Sequence, residues 1–409
     1  MSRVRTLAIA GGTLLMTLAI GVGASQADEP VPTPDLTTPQ LTIHEAPTSL
    51  TLREDGRVRL KASAPAAPGD PVYLNTAGAY NTGYVRVDEA VLGKDLTATL
   101  RVPGREFLGT FDYWATIPAS GTYQEGVSAR FPIEIVSPAP QVNPSCGGAK
   151  PKKADGAAWV CTFNDEFNGP ELDGRYWIPQ ETENSGFTTG TRLKYACAWD
   201  SRETIDVREG NLELSLIDLG ETRDCGQNKS SQFAYGQVMH YQTYAQTYGR
   251  YEVRAKIPDL RVPGSQQSFW LWPEKNTYGP WPASGELDFA EMYSSAPGVV
   301  KPFMHYLPGP PTESPHSNVT HAECPIKVGQ YNTYTMEWGP SRVTILVNGQ
   351  VCMINDYSSL VASSDSPAPF DHPFFLALNQ AMGTIGNEYD ADLVPDTLTT
   401  QIDYVRVWR

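Results

Sequence analysis

Basic residues are in short supply in this chain. Its 409 residues hold 31 Lys and Arg against 46 Asp and Glu, a net charge of −15. That balance argues against a nucleic-acid partner, which needs a basic face, and against a strongly anionic polysaccharide. Cysteine is sparse as well. There are six, none in a CxxC or other metal-ligand spacing, so a zinc site is not expected. Long apolar runs are missing beyond residue 22, and without one no later stretch can span a bilayer. Segments of helical period are also wanting. Plentiful instead are turn formers, 35 Gly and 34 Pro, which suit many short strands, and a hydrophobic share of 40% that can build folded cores.

The N-terminus carries a targeting pattern. Arg3 and Arg5 precede the apolar run Leu7 to Val22, and Ser25-Gln26-Ala27 supplies small residues for cleavage. This is the order of a secretory signal peptide, assigned to residues 1–27. The mature protein is therefore expected outside the cell, with no membrane contact after cleavage. Export favours disulfides among an even number of cysteines. Sequential pairing is the expectation: Cys146–Cys161, Cys197–Cys225 and Cys324–Cys352.

Length alone suggests two folded units. Residues 28–37 are a Pro-rich leader. From 38 to 138 short alternating segments recur, such as Val58, Leu60, Ala62 and Leu96, Ala98, Leu100. That pattern predicts a small immunoglobulin-like or fibronectin-like β-sandwich. It shows neither a catalytic constellation nor an aromatic platform, and a spacer or partner-contact role is expected. Residues 139–155 read as a linker rich in Pro, Gly and Lys. The remainder, 156–409, alternates again in NLELSL, RYEVRAKI and RVTILVNG. The whole chain is thus expected to be all-β, its larger unit a jelly-roll sandwich of two packed sheets.

One segment of the larger unit is unusual. SGELDFAEMY, Ser284 to Tyr293, crowds Glu286, Asp288 and Glu291 into an apolar strand. Side chains alternate along a strand, so Glu286 and Asp288 share a face and Glu291 should oppose them. One extra residue, a β-bulge at Phe289-Ala290, would return Glu291 to the shared face. The Glu carboxylates could then approach to roughly 5 Å, the separation suited to a nucleophile and a general acid acting on one bond. Upstream and downstream lie Trp270, Trp272, Tyr278, Trp281 and Tyr293, aromatic planes of the kind that meet the apolar faces of sugar rings. Phe269 reads as core.

GELDFAEM resembles the bulged ExDxxE signature of glycoside hydrolase family 16. FNDEFNGPELDGRYW, YGRYEVRAKIPD, SFWLWP, YNTYTMEWGPSRVTILVNG and IDYVRVW resemble other strands of that family, in the expected order. The resemblance covers residues 158–409 and does not extend to the first unit. It implies a concanavalin-like jelly roll with a cleft on its concave face and retaining, endo-acting hydrolysis of a β-glycan. Position by position it implies Glu286 as nucleophile, Asp288 as assisting acid and Glu291 as acid/base. His305, Asn379 and Gln380 fall where the family carries cleft residues, beside Trp270, Trp272, Trp281 and Tyr293. No cofactor is implied for catalysis. A structural calcium on the convex side, bound in some members, would take a carboxylate from Asp403 and backbone oxygens near Glu166 and Gly210. A laminarinase-like endo-β-1,3-glucanase, acting as a monomer on a polysaccharide, is the favoured reading. Agarase-type, carrageenase-type and transglycosylase activities, and a non-catalytic glycan-binding module, remain alternatives.

Overall fold

Alternating apolar residues form strands here because one face of each can be buried while the other meets water. The computed structural model describes residues 36–77, 84–105, 108–138, 144–307, 317–318, 323–357 and 367–409. The expected signal peptide, residues 1–27, lies outside the described residues, as do most of the leader and residues 139–143 of the linker.

The N-terminal sandwich packs two sheets. One joins Leu41–Glu45, Gly56–Ala62 and Thr97–Val102. The other runs Ser49–Thr51, Phe131–Val136, Gly109–Ile117, Pro71–Ala77, Tyr84–Val91. Val58, Leu60, Leu74, Leu100, Ile117 and Ile133 fill the space between them. Each fully buried side chain of this kind contributes about 1.5–3 kcal/mol relative to exposure.

The larger unit packs a convex sheet against a concave one. The convex sheet runs Gln350–Asp356, Arg342–Val347, Tyr331–Trp338, Gly249–Lys256, Thr397–Trp408, Asn211–Asp224, all antiparallel. The concave sheet runs Val299–Tyr306, Glu286–Tyr293, Ser265–Pro273, Phe374–Met382, Ser230–Met239 and then the short Ile178–Pro179. Ser230–Met239 pairs in both sheets and bends from one into the other. Between them lie Trp177, Trp338, Phe269, Phe289, Tyr251 and Tyr334, all fully buried. The Asn348-Gly349 turn takes left-handed backbone at both residues (φ 50° and 77°), the geometry of a tight hairpin whose twist matches its strands.

The six cysteines pair Cys146–Cys161, Cys197–Cys225 and Cys324–Cys352. The first ties the end of the linker segment to the strand Cys161–Asp165.

Candidate active site

The acid strand, Glu286–Tyr293, starts from a turn that only glycine fits well. Gly285 has φ 84°, and a Cβ there would lie 2.6 Å from the Phe370 ring. Within the strand the register breaks. Asp288 faces Phe303 and Glu291 faces Lys301, three residues against two. On the other side Ala290 faces Phe269 and Asp288 faces Trp270, which leaves Phe289 without an opposite number. This is the extra residue expected from the uneven spacing. Phe289, Ala290, Leu287 and Met292 turn into the core, while Glu286 and Glu291 stay accessible.

All three acids are held on the cleft side by polar neighbours. The Trp281 indole Nε1 donates to Glu286 Oε2 at 2.6 Å. Glu291 Oε1 accepts from Gln266 Nε2 at 2.9 Å and from Ser268 Oγ at 3.3 Å, and the Tyr293 hydroxyl donates to Oε2 at 2.5 Å. His305 Nε2 sits 3.2 Å from Asp288 Oδ2, within ion-pair reach but off the line of a hydrogen bond. One carboxylate oxygen of Glu286, one of Asp288 and one His305 nitrogen all lie within 4.8 Å of one another.

Burial dominates the electrostatics. It holds Glu286 well above the ordinary carboxylate range, and the neighbouring Asp288 charge adds to the effect. Asp288 is pushed well up by burial and then by Glu291. Burial raises Glu291 too, opposed by the Tyr293 hydroxyl, the His305 charge, and the Ser268 and Gln266 hydrogen bonds. Carboxyl groups packed this closely away from water cannot all ionise, so the cluster retains protons. Such a cluster can supply a proton and a carboxylate side by side.

Trp270 and Trp272 alternate with the buried Phe269 and Leu271 and so face the cleft, their rings 5.8 Å apart. Trp281 stands 45% exposed over the acids, 5.5 Å from the His305 ring. Asn379 lies on the cleft face opposite Ser268 and accepts from its backbone N–H at 3.0 Å. Gln380 does not belong to this site. It points the other way, fully buried, and accepts from Gln267 at 3.0 Å and Thr400 at 2.7 Å. Adjacent residues of a strand face opposite sides, so Asn379 and Gln380 cannot share the cleft. The sequence reading missed Gln266 and Ser268. Counting back by twos from Trp270 reaches both.

The calcium implied by the resemblance would take its one carboxylate from Asp403. Asp403 Oδ2 accepts from Arg254 Nη1 at 2.5 Å, so a cation there would have to displace that guanidinium. Arg406 clasps the Glu166 side chain through two bonds, at 2.9 and 2.7 Å, and does not engage its backbone oxygen. Gly210 offers a left-handed turn (φ 74°) beside Asn168.

Comparison with known proteins converges on one family. Residues 192–367 match the model for glycosyl hydrolases family 16. A glucan endo-1,3-β-glucosidase A1 of Niallia circulans is 26% identical over 60% of this chain and 37% of its own length. A keratan-sulfate endo-1,4-β-galactosidase of Sphingobacterium multivorum is 34% identical over 57% of this chain and 54% of its own. The chain thus spans roughly a third to a half of these relatives. The structure of the laminarinase from Rhodothermus marinus superposes with a TM-score of 0.51 at 24% identity, over 61% of this chain and 97% of that one.

Proposed function

We propose that this chain, whose larger unit carries a glycosyl hydrolase family 16 domain, is a secreted, retaining, endo-acting glycoside hydrolase of a β-glycan. Its organisation is a 38–138 sandwich, a 139–155 linker and a 156–409 catalytic domain. The observation that carries the reading is the bulged strand that gathers Glu286, Asp288 and Glu291 in one aromatic-lined cleft.

Hydrogen-bond chemistry supports distinct roles for the two Glu residues. The Trp281 Nε1 beside Glu286 can only donate, which favours a carboxylate there. Glu291 Oε1 accepts from the Gln266 amide, but at Oε2 it meets the Tyr293 hydroxyl, which can donate or accept, so that oxygen can carry a proton. In the proposed first step Glu286 attacks the anomeric carbon while Glu291 gives its proton to the departing glycosidic oxygen. The C–O bond to the leaving sugar breaks as the ester to Glu286 forms. Glu291, now a carboxylate, takes a proton from water, whose oxygen attacks the same carbon and releases Glu286. Two inversions leave the configuration retained. Asp288, between them, raises the proton affinity of Glu286 and faces His305. Neither step calls for a cofactor. A calcium on the convex side would serve stability alone, and the arginine paired with Asp403 argues against it.

β-1,3-Glucan is the favoured substrate, on the likeness to the Niallia enzyme. A second reading, cleavage of a β-galactoside, is favoured by the higher identity to the Sphingobacterium enzyme. The net charge of −15 weighs against a sulfated chain. Three disulfides support export to an oxidising compartment, and a monomer is proposed. Incubation with laminarin, lichenan, agarose, carrageenan, xyloglucan and keratan sulfate tests the reading. The expected result is oligosaccharides of intermediate size from laminarin, with fresh ends in the β configuration. Fresh α ends would sink the retaining mechanism, and turnover of keratan sulfate alone would select the second reading.

A further inference from the structure

At one edge the cleft sheet meets the N-terminal sandwich. One row of side chains crosses the concave sheet from Glu286. His305 pairs on one side, and Trp272 follows in register on the other, then Phe375 opposite Trp272. Tyr241 meets Phe375 edge to face, ring centres 5.4 Å apart. Three strand spacings of about 4.8 Å put Tyr241 roughly 14 Å from the Glu286 position. The neighbouring row runs Asp288, Trp270, Ala377, Met239, Ile178. Its last member, Ile178, is buried in the core of the N-terminal sandwich, and Met239 packs against that core. Leu108 of the sandwich donates its N–H to Gln242 Oε1 at 3.1 Å, and the Ser137 hydroxyl bonds the Gln242 carbonyl. The sandwich is therefore seated on the edge of the cleft sheet.

Where the two meet lies a cavity of about 460 Å³, lined by Trp272, Tyr241, Phe375 and Met239 from one unit and Arg53 from the other. Small-molecule sites span roughly 300–1,000 Å³. Its polar rim balances Arg53 and Lys275 against Glu181 and Glu274, which suits a neutral sugar better than a sulfated one. Arg53 has φ 64°, a left-handed conformation that costs a residue with a Cβ and persists only where the surroundings impose it.

We infer that the N-terminal sandwich forms one wall of a distal sugar subsite, which takes a neutral glycosyl residue of the same β-glycan chain whose scissile bond lies at Glu286. The inference rests on the glycoside hydrolase reading and assigns the first unit a part in substrate binding. Aromatic rings of Trp272 and Tyr241 offer stacking faces, and Arg53 brings the first unit to the cavity wall. A chain long enough to reach the cavity gains binding that a short one cannot.

The test uses the full chain and a ladder of β-glucan oligosaccharides, reading the ratio of kcat/KM for long over short substrates. Tyr241→Ala and Arg53→Ala should each lower that ratio about tenfold, mostly through KM on the long chains. Tyr241→Phe, which keeps the ring, should hold it. An unchanged Tm shows that the variants fold. Wild-type cleavage with the ratio unmoved in both alanine variants overturns the inference and leaves the glycosidase reading standing. A wild type that cleaves no glycan sinks that reading, and the inference falls with it.

Discussion

The two sheets of the larger unit treat their acids in opposite ways. On the convex side four carboxylates have a guanidinium: Glu166 with Arg406, Asp403 with Arg254, and Glu252 and Glu337 with Arg250. On the concave side Glu286, Asp288 and Glu291 have none among the described residues. A histidine, an indole and two hydroxyls stand in. Acids paired with arginine have a fixed countercharge beside them. The buried acids without one have their proton affinity raised by burial, and that state is costly to maintain. The contrast teaches where the fold gives up stability to hold chemistry.

The largest break in that contrast comes from removing the carboxylates themselves. Glu286→Gln should lower kcat on the order of 10⁴-fold or more, with the fold intact by circular dichroism. Azide separates the roles of the two Glu residues. Glu286→Ala with azide should yield an α-glycosyl azide directly, whereas Glu291→Ala, on an activated substrate, should yield a β-glycosyl azide through the enzyme ester. The reverse assignment of products by NMR would exchange the roles. A smaller effect follows at Tyr293. Its hydroxyl lowers the Glu291 pKa, so Tyr293→Phe lets that pKa rise. Because Glu291 must start protonated, the basic limb of the kcat/KM profile should move to higher pH. Turnover should fall about tenfold. An unmoved limb would separate Tyr293 from the titration.

How much of this was legible beforehand differs along the chain. The acid strand was legible because its period of two is broken once, and the break falls between residues whose faces the rest of the pattern fixes. The cleft strand Phe374–Met382 was not, since all nine of its residues are buried. With no polar alternation to set its phase, Asn379 and Gln380 looked equivalent, and only the pairing with Ser265–Pro273 shows which one meets the cleft. The arginine on the expected calcium carboxylate, Asp403, was hidden by distance, as was the one on Glu166. Arg254 lies 149 positions from Asp403, and Arg406 lies 240 from Glu166. The seat of the N-terminal sandwich depends on Ile178–Pro179, a strand of two residues with no pattern of its own.

The contrast also bears on stability. The Asp288 pKa is raised in the fold, by burial first. Between the ordinary carboxylate range and that raised value the folded state holds more protons than the unfolded one. Stability from this group is therefore full at acid pH and is lost as pH rises through the folded value. Asn at 288 has no charge to bury. Calorimetry of Asp288→Asn should show a higher Tm than the wild type at pH 8, by about 2–4 °C for a gain of about 1 kcal/mol. The difference should vanish towards pH 4. A constant difference across that range would mean that packing, not ionisation, sets it.

The smallest effect belongs to the convex side. Arg254 and Asp403 are each more than a third exposed, and a pair so placed contributes about 0–1 kcal/mol. Asp403→Asn should accordingly change Tm by ~2 °C or less and leave kcat unmoved. Calcium sharpens the point. With Asp403 held by arginine, titration with calcium or with EDTA should leave the wild-type Tm where it is. A calcium-dependent rise that Asp403→Asn abolishes would show that the cation outcompetes Arg254. The convex sheet would then hold that acid with a metal ion in place of a guanidinium, and the contrast with the uncompensated acids of the concave sheet would remain.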